Sequence, residues 1–236
     1  MKETPCDVVV FGPHPDDAEM VMAGTMIRMV RCGYRVLNVS LTRGEMGTYG
    51  DVETRREEFL KANALMGTEG VLLDFPDTGV VNDREGRLKI ASFVRKQRPR
   101  VVFAPYHTNP YTHLDGSANV DHYPAGELVR DGLKLARFRR LLPELTPHNV
   151  QRIFYYMIPK DHRPTFVVDV SDLKEEIHAA IKAYATQMSI HREQIKILDM
   201  LDAIRAFHGL RIDRPLAEAF LSEEALKLEV DDFFHI

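Results

Sequence analysis

The sequence predicts an α/β fold: a doubly wound, mostly parallel sheet with a C-terminal α/β elaboration, in a single domain spanning residues 1–236. Two observations carry this prediction. Short β-branched runs alternate with longer stretches of helical periodicity, and a glycine or proline stands where each early helix must give way to a strand. Asp7–Phe11 (DVVVF) reads as the first buried strand, Val36–Leu41 (VLNVSL) as the second, Val71–Leu73 as a weaker third and Val101–Ala104 (VVFA) as the fourth. Between them the helical pattern covers Ala18–Cys32, Glu53–Met66 and Arg87–Lys96, with Gly33, Gly67 and Pro99 as stops. Thr54 and Glu57 stand at capping-box spacing in the second helix. A later helix is expected over Pro124–Arg139, then strands at Ile153–Ile158 and Phe166–Val170, then amphipathic helical stretches over Asp172–Gln187 and near Arg192–Phe207. Right-handed crossovers between parallel strands gather function at the carboxyl ends of the strands.

Composition narrows the class of protein. With 44% hydrophobic and 28% charged residues the chain is an ordinary globular one, and 31 basic against 35 acidic side chains leave a net charge of −4. That balance offers no electrostatic footprint for nucleic acid or an anionic membrane. No apolar run approaches the roughly 18 residues of a membrane span, and the apolar run near the N-terminus is too short for a signal-peptide core. The expectation is a cytoplasmic protein with neither a membrane nor a nucleic-acid partner. Cys6 and Cys32 are too few for a disulfide scaffold or a thiolate metal site, whereas ten histidines stand out.

Two long segments without periodicity, Thr42–Asp51 and Pro105–Asp121, follow the second and fourth strands and emerge on the functional edge. The first strand itself runs into Gly12-Pro13-His14-Pro15-Asp16-Asp17. A purely structural turn here needs one N-cap, not a histidine and two carboxylates. His14 and Asp17, three residues apart across the turn, can converge on one ion. A mixed nitrogen and oxygen set suits Zn²⁺, and a catalytic zinc takes three protein ligands with one position open. The loop after the fourth strand offers His107, His113 and His122, and His122 is preferred because it stands at a helix start. With Asp17 as ligand, the Asp16 side chain diverges and is free to act as general base. Arg43 and Glu45, in the loop after the second strand, are candidate substrate-binding residues, a guanidinium and a carboxylate able to pair with polar or charged groups. Arg56 and Glu58 read as a solvated helix face.

The run FGPHPDDAEM with AGTM, followed by LTRGEMGTYG, TRREE, VFAPY and NVDHYPAGELV, resembles the PIG-L/LmbE family of zinc-dependent N-acetylglucosamine deacetylases. PELTPHNVQRIFYYM, DVSDL and AYATQ are similar to its bacillithiol-biosynthesis branch in particular. The resemblance implies a Rossmann-like sheet, zinc held by His14, Asp17 and His122, Asp16 as general base and Arg55 as a substrate-binding residue. It further implies a small GlcNAc-type substrate, such as a conjugate with malate or inositol, and a homo-oligomer, trimeric or hexameric. One departure matters. The family's second motif reads His-Pro-Asp-His, and here the same places hold Asn119-Val120-Asp121-His122. The Asn119 amide can donate to a tetrahedral oxyanion but cannot deliver a proton. Two alternatives follow from it: a zinc amidase for a different N-acyl compound, and a metal-retaining sugar-binding protein with weakened catalysis. The remaining six histidines (His148, His162, His178, His191, His208 and His235) are expected to be structural or exposed.

Overall fold

In the computed structural model, which describes residues 5–109, 119–159, 161–190, 195–227 and 229–231, the β-branched runs form one five-stranded sheet. The strands are β1 (Val8–Gly12), β2 (Val36–Ser40), β3 (Glu69–Leu72), β4 (Val101–Pro105) and β5 (Arg152–Tyr156), all parallel, in the order β3-β2-β1-β4-β5. Every residue of β1 and β2 is buried, as strands covered on both faces must be. Alternation along β1 sends Val9 and Phe11 into one core with Ile90, Val94, Leu128 and Val129. Val8 and Val10 enter a second core with Met22, Met26, Ile177 and Ile181. Helices α1 (Asp17–Arg31) and α2 (Val52–Met66) cross over between the first three strands, and α3 (Arg84–Gln97) and α4 (His122–Leu135) flank β4. The strand order reverses between β1 and β4, so the loops after these two strands open onto a common crevice.

The C-terminal part adds an antiparallel ribbon of β6 (Phe166–Asp169) and β7 (Ala217–Phe220), with α5 (Lys174–Lys182), α6 (Ala185–Met188) and α7 (Ile197–Gly209) between them. The expected helix over Asp172–Gln187 is thus three pieces: a 3-10 turn at Ser171–Leu173, α5 and α6. The break falls at Tyr184, whose φ of −84° and ψ of 66° turn its buried ring inward, where its hydroxyl donates to Glu19. The capping expectation is also corrected. Asp51, not Thr54, caps α2, its carboxylate accepting from Thr54 N at 2.8 Å. Helix α3 likewise begins on Asp83 and ends on Arg98 at a left-handed φ of 53°, one residue before Pro99. Helix α4 starts at His122, two residues earlier than its periodicity suggests, and stops at Leu135. Among the described residues no helix is long and apolar enough to cross a membrane.

Helix α1 carries a kink at Met22 (φ −136°, ψ 24°) that is filled by a buried ion pair. Glu218 of β7 accepts from Gly24 N at 3.1 Å and from Thr25 N and Oγ1 at 2.7 Å. Arg205 of α7 donates to the Met20 carbonyl at 2.7 Å and to Glu218 at 3.1 Å. The amides and carbonyl that the kink releases are therefore satisfied from outside the helix, as a buried backbone requires.

Helix α4 sits against the end of β4 with no room to spare. A Cβ at Gly126 would stand 2.4 Å from the Pro105 carbonyl oxygen and 2.9 Å from the His107 Cα. Gly126→Ala must push the helix off the strand, at the cost of about 3 kcal/mol, the upper end of overpacking. A thermal melt is expected to fall by about 6–12 °C for a chain of this length. A wild-type melt would show that α4 is not held this closely.

Candidate metal centre

The crevice between β1 and β4 is where the sequence-selected residues meet. The turn after β1 is constrained by Pro13 and Pro15, and Asp16 then takes φ 130° and ψ −28°, a conformation costing an L residue about 1–3 kcal/mol. Asp16 precedes α1 without capping it, which leaves its carboxyl group for other work. Asp17 opens the helix. Its Oδ2 accepts from His14 N at 3.0 Å and faces His14 Nδ1 at 3.0 Å, while its Oδ1 faces His122 Nε2 at 3.1 Å. One ligand atom from each of His14, Asp17 and His122 lies within 4.8 Å of the others. His14 and Asp17 come from the β1 turn and His122 from the first residue of α4.

A second group, His14, Asp77 and Asp121, meets the same distance limit. Its carboxylates are already engaged. Asp121 accepts from Thr78 N at 2.7 Å and Val80 N at 3.0 Å, and Asp77 accepts from Met46 N at 2.8 Å. His14 Nε2 donates to Asp121 at 3.0 Å, with Asp77 Oδ1 at 3.2 Å. A carboxylate that takes the far N–H of an imidazole fixes the ring and directs its other nitrogen towards a metal. His14 Nδ1 is thereby turned to Asp17 and His122, and the donor set of the first group, two imidazoles and a carboxylate, fits a borderline cation such as zinc.

Electrostatics separate the two adjacent aspartates. Burial raises both, but His122 and His14 outweigh it at Asp17 and hold that carboxylate well below the usual range. Asp16 is pushed well above its ordinary value by burial and by Asp17, against the opposing pull of Arg55. One carboxylate is kept charged and the other is disposed to carry a proton, the division of labour that acid–base chemistry requires. His14 itself is held at about 10, because Asp17, Asp121 and Asp77 overcome the desolvation that would lower it. The pocket draws positive charge.

The other candidates divide. Arg55 is buried; its Nη2 donates to the Pro15 carbonyl at 2.6 Å and lies 3.5 Å from Asp16, whereas Nε and Nη1 have no partner among the described residues. Glu45 accepts from Asp77 N at 2.9 Å and Arg43 N at 3.2 Å, tying the loop after β2 to the turn that carries Asp77. The Arg43 side chain is exposed and makes no ion pair among the described residues. Asn119 is exposed, with Oδ1 accepting from Asp121 N at 3.1 Å and its backbone oxygen from His122 N at 3.0 Å, so it shapes the turn into α4. His107 bonds instead to Glu223 at 2.8 Å and Arg130 at 3.1 Å, while His113 lies outside the described residues. Glu58 is a correction: it is buried and accepts from Thr186 N and Oγ1, because α6 packs over that helix face, whereas Arg56 stays exposed beside Glu53. His148 and His178 bond to the Pro99 carbonyl and to Asp202, in structural roles. His191 and His235 lie outside the described residues.

Sequence reasoning missed Asp77 and Asp121 as partners of His14. Asp121 had a signal, since it directly precedes the candidate ligand His122 on the same strand-end loop. Pro76-Asp77-Thr78-Gly79 reads only as a turn.

The PIG-L family model, described as GlcNAc-PI de-N-acetylase, matches residues 9–133. Diacetylchitobiose deacetylase of Thermococcus kodakarensis is 30% identical over 245 residues, covering 97% of this chain and 87% of that protein. Among solved structures, the conserved protein TT1542 from Thermus thermophilus superposes with a TM-score of 0.85 at 33% identity, covering 95% of this chain and 98% of that one. N,N'-diacetylchitobiose deacetylase from Pyrococcus horikoshii, complexed with its inhibitor MPG, superposes with a TM-score of 0.80 at 27% identity, covering 100% and 90%.

Proposed function

The chain belongs to the PIG-L family, and on that premise we propose that it is a zinc-dependent hydrolase removing the N-acetyl group from a GlcNAc conjugate, such as GlcNAc-malate or a related glycoside. The observation that carries this reading is the meeting of His14, Asp17 and His122 beside a carboxyl group, Asp16, whose pKa is raised. The names of the family and of its relatives support the acetamide of an N-acetylglucosamine as the scissile group.

His14, Asp17 and His122 would hold the metal. Zinc, when bound there, supplies Lewis acidity that polarises the acetamide carbonyl and acidifies water. Asp16 takes the proton of the attacking water and delivers it to the amine nitrogen as the C–N bond breaks, so acetate and a free amine leave. The Asn119 amide donates to the oxyanion. Arg43 and Glu45 meet the conjugate, and the unpartnered Nε and Nη1 of Arg55 support its assignment to substrate as well. Free Cys6 and Cys32 suit the reducing cytoplasm. Exposed Ile204, Phe207 and Leu210 support a homo-oligomer, which the family resemblance makes a trimer or hexamer.

The test is acetate release by the zinc-loaded protein from diacetylchitobiose, GlcNAc-malate and GlcNAc-inositol, with release from at least one expected. Tight sugar binding without release favours the metal-retaining binding protein, and release from a different N-acyl compound alone favours the amidase. Asn119→His restores a proton donor and is expected to raise kcat about tenfold or more, within the range of general acid contributions. An unchanged or lower rate means that the loop is built for another substrate.

A further inference from the structure

A cleft of about 200 Å³ between α4 and the edge strand β5 contains none of the metal-group residues. Its walls carry a charge pattern that deacetylation does not use. Arg130, Lys134 and Arg137 follow one another by single turns along α4 and just past its end, and Arg152 faces them from the start of β5. Asp131 holds Arg130 at 3.1 Å and Lys134 at 3.6 Å, and Glu223 is engaged by His107 at 2.8 Å. Arg137 makes no ion pair among the described residues, and Arg152 donates only to the neighbouring Gln151 carbonyl at 2.9 Å. Set against Asp131, Glu223 and Glu224, the four cations leave an excess of positive charge, concentrated on the two open guanidinium forks.

A hydroxyl faces the same cleft. Tyr155 lines it and is 1% exposed as a residue, and no described residue hydrogen-bonds its hydroxyl, which is open to the cleft rather than sealed in the core. Burial, then the Glu223 and Glu224 carboxylates against the pull of Arg130, raises its pKa, so the hydroxyl remains a donor. Two guanidinium forks and a hydroxyl on different elements offer more donors than a carboxylate has oxygens, and they match a phosphoryl group. The volume admits a phosphate with its immediate substituent.

We propose that this cleft binds a small phosphate-bearing anion, held by Arg137, Arg152 and the Tyr155 hydroxyl. The test is calorimetric titration of the full chain with inorganic pyrophosphate at constant ionic strength, with sodium acetate as the carboxylate control. Saturable binding of one pyrophosphate per chain is expected, with a Kd below about 1 mM. Arg137→Ala/Arg152→Ala is expected to weaken it at least about tenfold, and Tyr155→Phe several-fold, with acetate release and thermal melts unchanged. The binding is expected to persist in His14→Ala, which loses the metal group. Unsaturable binding, equal binding by acetate, full affinity in the double variant, or loss of binding in His14→Ala would overturn the proposal, the last because the anion would then sit on the metal.

Discussion

Asp16→Asn is expected to lower kcat by about 10²–10⁴, the usual contribution of a positioned general base, while the protein still binds one zinc per chain. The expectation rests on the split between the two aspartates. Asp17 is held ionised by two histidines, whereas Asp16 lies beside Arg55 and has a pKa raised by burial and by Asp17. An amide at position 16 keeps the size of the side chain and removes only its ability to carry a proton. His14→Ala, in contrast, is expected to abolish zinc binding. Backbone geometry adds a stability readout. Asp16 sits at φ 130°, where glycine is at ease and asparagine is not. Asp16→Gly is therefore expected to be equally inactive but more stable than Asp16→Asn by about 1–2 kcal/mol, part of the strain released. Loss of zinc from Asp16→Asn would mean that the roles of the two aspartates are reversed.

Glu218→Ala is expected to destabilise the fold by about 3–5 kcal/mol, the cost of breaking a buried ion pair from one side, and to lower the melt by about 6–20 °C. Glu218 and Arg205 are almost fully buried, so removing the carboxylate strands a guanidinium without water. The Gly24 and Thr25 amides are stranded too, each at about 1–3 kcal/mol. A second change, Arg205→Met, removes the uncompensated charge and is expected to recover part of the loss, but not the part due to the amides. Full recovery would show that the kink in α1 does not depend on these hydrogen bonds.

Much of this architecture is written locally. The runs DVVVF, VLNVSL and VVFA are strands because β-branched residues without polar interruption suit a sheet buried on both faces. His14 and Asp17 stand at a strand end and His122 at a helix start, and the sheet reversal between β1 and β4 is what brings those ends together. What stayed hidden depends on distant partners. β7 (AEAF) has low β-propensity and a central glutamate, and it becomes a strand because Glu218 answers a kink more than 190 residues away. Glu58 reads as solvated until α6 covers it, and Asp77 reads as a turn residue until its loop folds back on His14. Tyr184 breaks a helix that its own segment favours because its hydroxyl is drawn to Glu19.

The proposed metal centre is His14, Asp17 and His122, with Asp77 and Asp121 behind it. Anomalous scattering from a zinc-loaded crystal, recorded on either side of the zinc absorption edge, tests it directly. The account predicts a single peak per chain bonded to His14 Nδ1, the Asp17 carboxylate and His122 Nε2, with Asp121 still hydrogen-bonded to His14 Nε2. A peak between His14 Nε2, Asp77 and Asp121, or no peak in the crevice between β1 and β4, would contradict it.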